Sequence, residues 1–382
     1  MKQLSGSAKA LIVTAAVLLV GGSILTAYFL VGSSDSSTTT QTTASTMTVD
    51  TASSDIDWSK LPTTNVSLTD SGYTIKEAGT YVLNGSSTGS VTVNSEGNVR
   101  IILNGVTINS TSGAAIVVAA ANNTVIELAS GTTNTVSDSA TRSDEEIDGA
   151  IYSADDLFIQ GDGTLNVTAN YADGIVGKDD LTMTSGTLHV TAADDGIRGK
   201  DSVTIAGGTI TVDAKGDGIK STNDTDLEKG YTYIKDGTVT VTAGDDGVKG
   251  ETRVVIDGGT VHIQSSVEGI EAANITINNG TIDLYASDDG INASADAMGT
   301  TLAVTINGGD ITVEVGSGDT DGIDSNGDVA INGGTVRITY PSTPPASGVD
   351  YTGTATFNGG TLILNGTQVS EIPAEQMGGM RR

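Results

Sequence analysis

From Gly163 onward one pattern of apolar and polar positions repeats along the chain. It reads GTLNV at Gly163, GTLHV at Gly186, GTITV at Gly208, GTVTV at Gly237, GTVHI at Gly259, GTIDL at Gly280, GDITV at Gly309, GTVRI at Gly334 and GTLIL at Gly360. The second and fourth residues after each glycine are Leu, Ile or Val. The third is polar everywhere except Ile363. Period-two alternation puts the apolar pair on one side and the polar residue on the other, so each frame predicts a short half-buried strand. Many of the apolar residues are β-branched, as strands prefer.

The frames recur at intervals of about 22 residues, lengthened where insertions occur. One unit holds three strand-like runs, such as Leu181–Thr184, Thr187–Thr191 and the run around Ile197, separated by corners rich in Gly and Asp. A unit this small cannot enclose a core alone, but stacked units can. The predicted fold is all-β, a right-handed parallel β-helix with three short strands per coil. Successive coils would lie about 4.8 Å apart, so that equivalent residues form columns. A propeller would need four strands per unit and about twice the period. YTIKEAGTYVLNG, SVTVNSEGNVRIILNGVTINS and AAIVVAAANNTVIELASG read as opening coils, with strict register only after Glu146.

Five segments follow. Residues 1–32 hold Lys2 and Lys9 ahead of an uncharged, mostly apolar run over 10–31. As a helix that run would span roughly 33 Å, which fits an uncleaved membrane anchor better than a cleaved signal peptide. Positive-inside orientation exports everything after it, to the cell surface or, if the segment is cleaved, to the medium. Residues 33–57 are a Ser/Thr-rich linker. Residues 58–147 are the N-terminal coils, 148–366 the regular repeat coils and 367–382 a short tail.

An acid precedes Gly-apolar once per unit, at Asp148, Asp173, Asp195, Asp217, Asp246, Glu268, Asp289 and Asp321. In a β-helix these acids align along one edge. Further acids flank them: Asp194, Asp245 and Asp288 just before, and Asp155, Asp179, Asp180, Asp201, Glu251 and Asp324 just after. Asp-Gly is good corner chemistry, with Asp bonding local amides and Gly taking positive φ. Corner chemistry alone does not explain why Glu268 keeps the charge, nor the second set of acids. Carboxylates stacked this closely must protonate or hold a cation, and Ca²⁺ is the hard cation that suits clustered oxygens outside a cell. The densest patch is GDTDGIDSNGD over 318–328, with Asp319, Asp321 and Asp324. Beside the acids runs a basic column, Arg198, Lys220 and Lys249, which either pairs with the stripe or meets an acidic sugar.

The 382 residues carry 47 acids against 18 bases, a net charge of −29. That charge repels nucleic acid and anionic membrane surfaces, leaving the N-terminal helix as the one predicted membrane contact. Without cysteine there is no disulfide framework, thiolate metal site or Cys nucleophile. A monomer is expected.

The blocks ASGTTNTVSD (129–138), IYSADDLFIQGDGTLNV (151–167), DGIVGKDDLTM (173–183), DDGIRGKDSVTIAGGTITV (194–212), SDDGINAS (287–294) and DGIDSNGDVAINGGTV (321–336), in this order, resemble the bacterial carbohydrate-binding domain-containing protein family. The likeness runs over roughly residues 61–366. The resemblance implies a calcium-binding parallel β-helix of pectate-lyase-like fold. It also implies non-catalytic binding of polysaccharide, cellulose and acidic pectic sugar included, with Ca²⁺ at Asp173, Asp195, Asp217, Asp246, Asp289 and Asp321. Glu268 departs from the usual Asp.

Two other classes compete with a binder. A calcium-assisted lyase would use Arg198, Lys220 or Lys249 as base beside the metal. A stalk or adhesin would use calcium only as a staple. His189 and His262 occupy outward strand positions three coils apart, roughly 14 Å, too far to share a proton. Aromatic platforms for a sugar are few, Tyr231 and Tyr233 in the insertion over 221–233 being the candidates, so metal-bridged and hydrogen-bonded contact is expected to dominate.

Overall fold

A computed structural model describes residues 47–48, 55–294 and 299–374. The anchor expected over 10–31, most of the linker and the tail beyond 374 lie outside the described residues. Among the described residues no helix is long and apolar enough to cross a membrane. A short 3-10 turn at Trp58–Lys60 precedes the first strand.

The chain winds into a parallel β-helix of about 11 turns, with three ladders of strands running along it. Face A is built from strands such as Asp173–Gly177, Ile197–Gly199 and Ile219–Ser221. Face B takes Asp180–Met183, Ser202–Ile205 and Tyr231–Ile234, and face C takes Thr187–Ala192, Thr209–Ala214 and Thr238–Thr242. Two strands, Val248–Ile256 and Ile270–Ile277, run from face A into face B, and their pairing shifts register between Gly250 and Arg253.

Register follows the sequence frames. On face C, Leu165, Leu188, Ile210, Val239, Val261, Ile282, Ile311, Val336 and Leu362 form one inward column. On face A, Ile175, Ile197, Ile219, Val248, Ile270, Ile291, Ile323 and Val349 form another. These side chains are buried, and the core they fill is almost wholly aliphatic. Each fully buried Val, Leu or Ile is worth about 1.5–3 kcal/mol, so every coil is held chiefly by the coils above and below it.

The N-terminal coils belong to the same stack and carry register shifts at Leu83/Gly85 and Val93/Asn94, but the regular coils shift too, at Val241/Thr242 and Gly250/Arg253. At the far end the tail does not simply leave the rod. Thr367–Val369 folds back antiparallel on Thr361–Leu364 and covers part of the last open edge.

The corners are built in different ways. Between faces B and C the glycine that opens each frame from Gly186 onward has positive φ, for example +100° at Gly186 and +113° at Gly280. An amide ladder runs beside it. Asn278 donates to Asp257 at 2.7 Å, Asn307 to Asn278 at 2.7 Å, Asn332 to Asn307 at 2.8 Å and Asn358 to Asn332 at 2.8 Å. Between faces C and A the glycine of Asp-Gly-Ile is required for a different reason from the one expected. Gly196 has no positive φ; a Cβ there would lie 2.2 Å from Val212 Cγ1 and 2.5 Å from the Gly218 carbonyl oxygen. The corner backbone is pressed against the next coil, and a side chain has no room.

Gly196→Ala should therefore cost about 1–3 kcal/mol, the range for overpacking a filled site. Gly113→Ala, where a Cβ meets nothing within 4 Å, should leave stability within about 0.5 kcal/mol. Urea unfolding of the two variants checks this; equal midpoints would refute the close-packing account.

Candidate functional site

The corner between faces C and A stacks the repeated acids as the sequence pattern requires. Their first task is to cap backbone. Asp195 N–H donates to Asp173 Oδ1 at 3.1 Å, Asp217 N–H to Asp195 Oδ1 at 2.9 Å and Asp246 N–H to Asp217 Oδ1 at 2.9 Å. Further along, Asp321 N–H donates to Asp289 Oδ1 at 2.7 Å and Ser347 N–H to Asp321 Oδ1 at 2.6 Å. Where the chain turns, these amides lose their ladder carbonyls, and a buried unpaired N–H is costly. Aspartate is short enough to reach one coil on and no further. The bond runs from coil to coil, not within the turn.

The outer oxygens meet the basic column. Arg198 Nε donates to Asp173 Oδ2 at 2.7 Å, and its guanidinium also pairs with Asp148. Lys220 Nζ lies 2.9 Å from Asp195 and 2.7 Å from Asp217. Lys249 Nζ lies 2.7 Å from Asp246 and pairs with Glu271. Arg198, Lys220 and Lys249 are in register on successive coils. The same column continues as Glu271, Asn292, Asp324 and Asp350. The stripe thus has two halves: one neutralised by its own side chains, and one in which the column beside the acids is itself acidic or amide.

In the second half Asp321, Asp324 and Asp350 converge, their nearest oxygens all within 4.8 Å of one another. Among the described residues no ammonium or guanidinium lies within ion-pair distance of them. Asn292, stacked on Asp324, is only 7% exposed, and its Oδ1 has no partner among the described residues. Glu268 Oε2 is likewise buried without one. Burial, reinforced by neighbouring carboxylates, lifts Asp289 to about 8, Glu268 to about 7, and Asp321 and Asp324 to about 6. Three converging carboxylates without a resident counter-charge fit a hard divalent cation with oxygen ligands.

Other predicted residues sit elsewhere. Asp194, Asp288 and Asp319 are exposed beside the stripe, while Asp245, also exposed, converges with Asp217 and Asp246, their nearest oxygens within 4.8 Å of one another. Asp179 and Asp201 are at the next corner, between faces A and B. There a hydrogen bond between the two, with burial behind it, raises Asp179 to about 7, and Lys229 pairs with Asp201 at 2.5 Å. Asp155 accepts from the Ala121 amide at 2.8 Å. The patch over 318–328 splits: Asp328 is on face B, opposite Ala303, and caps the Thr354 amide at 2.7 Å.

Tyr233, expected on a projecting insertion, is a strand residue only 1% exposed, and its hydroxyl donates to Asp257 at 2.7 Å. The excursion ends at Gly230, and both tyrosines belong to Tyr231–Ile234 because that run pairs with Ser202–Ile205. Tyr231 lies under the Arg253 guanidinium, 4.7 Å from ring centroid to Cζ. A cavity of about 310 Å³ opens over the first half of the stripe, lined by Asp148, Ala172, Asp194, Arg198, Lys220 and Thr222, with Asp173 and Asp195 beneath. Residue type alone marked Asp321 and Asp324; Glu271, Asn292 and Asp350 became visible only through the register of their column.

The family model for carbohydrate-binding domain-containing protein matches residues 69–322 and 274–371. A carbohydrate-binding domain-containing protein of Acetivibrio thermocellus is 36% identical over 107 residues, which are 27% of this chain and 37% of that relative. The match thus spans little more than a third of the relative's length. Among solved structures, the polysaccharide lyase-like protein from C. thermocellum, as a gadolinium derivative, aligns over 78% of this chain and 98% of that one, at 24% identity and a TM-score of 0.43.

Two outcomes follow from the stripe. An acid with a raised folded pKa binds an extra proton in the folded state. Its contribution to stability is complete below about pH 4 and is lost as the pH rises through its folded pKa. In chelator, the contribution of Asp289, Glu268, Asp321 and Asp324 should therefore shrink between about pH 5 and about pH 8. Asp289→Asn should flatten that slope in thermal melts, and an unchanged slope would contradict the assignment. In the first half, Lys220→Gln strands two buried carboxylates and should cost about 3 kcal/mol. Lys215→Gln, on a side chain 76% exposed, should stay within about 0.5 kcal/mol in the same urea titration.

Proposed function

Because the chain belongs to the carbohydrate-binding domain-containing protein family, we propose that it binds polysaccharide along face A, outside the cell and without cleaving it. Calcium would carry its contact with acidic glycan. The observation behind this reading is the polar stripe, one outward position per coil in register from Arg198 to Asp350, closing on three carboxylates that lack a side-chain counter-ion among the described residues. A rod with a regular polar edge offers a repeating polymer the same contacts many times over.

Asp321, Asp324 and Asp350 would hold the calcium, with the Asn292 amide oxygen beside them. An ion that takes six to eight oxygens keeps positions open for water and for a uronate carboxylate, and its charge is shared between protein and polymer. The apolar run over 10–31 behind Lys2 and Lys9 supports export and anchoring at the surface.

The lyase reading needs a neutral base among Arg198, Lys220 and Lys249. Burial works against their charge, but the flanking carboxylates outweigh it, and all three hold their protons more tightly than usual. A group so held makes a poor proton acceptor, which supports binding over catalysis.

Calorimetry of the full chain tests this, with polygalacturonate titrated in calcium and in chelator. Binding is expected in calcium alone, weakened at least ten-fold, about 1.4 kcal/mol, by Asp324→Asn with Asp350→Asn. Calcium uptake without glycan binding would make the rod a stalk. Unsaturated products absorbing in the ultraviolet would make it a lyase.

A further inference from the structure

The resemblance to calcium-binding rods implies an ion at Asp173, Asp195, Asp217 and Asp246 as well as at Asp289 and Asp321. The first four carboxylates do not fit one. Calcium collects six to eight oxygens at about 2.3–2.6 Å, and here the oxygens are already taken by nitrogen. Oδ1 of Asp173, Asp195 and Asp217 accepts the Asp195, Asp217 and Asp246 amides in turn. Oδ2 of Asp195 and of Asp217 share Lys220 Nζ, at 2.9 and 2.7 Å. Oδ2 of Asp173 takes Arg198 Nε at 2.7 Å, and Oδ2 of Asp246 takes Lys249 Nζ at 2.7 Å. All four aspartates are buried, 3% exposed at Asp173, Asp217 and Asp246 and 6% at Asp195.

The place of the ammonium matters as much as its charge. An ion that ties two coils together must touch oxygens of both, and Lys220 Nζ does so between Asp195 and Asp217. An entering calcium ion would have to expel that ammonium or lie against it and meet like charge. Asp245 does converge with Asp217 and Asp246, but those two keep their lysines, so an ion drawn to the three would stand beside both ammoniums. The same rod supplies the contrast. Further along the outward column, Asn292, Asp324 and Asp350 replace the cations in register, and there the Asn292 amide oxygen is buried without a partner among the described residues.

We propose that Arg198, Lys220 and Lys249 are built-in substitutes for metal ions: the corners from Asp173 to Asp246 take up no calcium, and removing Lys220 opens a calcium site that the native chain keeps closed. A cation carried on the backbone cannot be withdrawn by a chelator, so these corners hold together without calcium. The inference departs from the family expectation at those four aspartates. It goes beyond the calcium placed at Asp321, Asp324 and Asp350 and does not depend on it. Without Lys220, the outer oxygens of Asp195 and Asp217 are left buried and unpaired, and a divalent cation answers both of them.

Calcium titrated into the chelator-stripped full chain, followed by calorimetry, tests this. Lys220→Ala should take up one calcium ion more per chain than the native protein, and adding Asp217→Asn to it should abolish the gain. Lys215→Ala, which removes the same charge from a side chain 76% exposed, should gain none. In the native background Asp217→Asn should cost no ion. Calcium should also raise the Tm of Lys220→Ala by more than it raises that of the native chain, because the ion replaces the missing cation in the folded state alone. A native chain that loses an ion with Asp217→Asn overturns the proposal, and so does a folded Lys220→Ala that gains none or a Lys215→Ala that gains as many. If Lys220→Ala does not fold even in calcium, as judged by its melting curve, Asp217→Asn in the native background carries the comparison alone. No uptake by the native chain together with an ion gained by Lys220→Ala refutes the calcium site at Asp321, Asp324 and Asp350 and leaves this inference standing; native uptake with no gain does the reverse.

Discussion

In a coil-stacked fold every residue must tolerate its counterpart about 4.8 Å above and below. For Ile in the column from Ile175 to Ile323 that constraint is easily met, because identical apolar side chains pack well on one another. Asparagine meets it by hydrogen bonding to itself, as the run from Asn278 to Asn358 shows. A carboxylate cannot meet it alone. A column of buried aspartates is repulsive, and the protein must answer that repulsion at every coil.

The answer comes in two layers. At Asp173, Asp195, Asp217, Asp289 and Asp321 one oxygen accepts the amide of the next corner, which ties the charge to the backbone's own need for a partner. Each outer oxygen needs a cation, and here the rod changes character along its length. Through Lys249 the cations are side chains fixed in place, though burial still lifts Asp246 to about 9 and Asp173 to about 6. Beyond Glu271 the same outward position carries acceptors, and neutrality is left to protons, ions or ligands. A single substitution pattern in one column therefore separates a part of the surface that is electrostatically closed from a part that is open.

Much of this was legible beforehand. Alternation in frames such as GTITV foretold the strands, and the spacing of Asp-Gly-Ile foretold that the acids align. The roles of those residues were harder to read. Gly196 was expected to serve φ and instead serves close approach, a distinction that depends on where Val212 lies. Tyr233 is expected within the projecting insertion over 221–233, yet strand pairing resumes at Tyr231 and buries it. Asp324 and Asp328, four residues apart, end on different faces because a corner falls between them.

What the chain determined by itself is the periodic part: strands, coil length, inward and outward positions, and the existence of an acidic column. These depend on residues close in sequence, where alternation and turn chemistry act. What only the tertiary structure decided is which charges meet. Arg198 reaches Asp148 across fifty residues, and Asp350 joins Asp321 and Asp324 from the following coil. Such pairings depend on the insertions that lengthen some coils and on the register restored after them. Local sequence does not encode that register; packing of one coil on the next selects it, since a slip of one residue would turn every inward aliphatic outward.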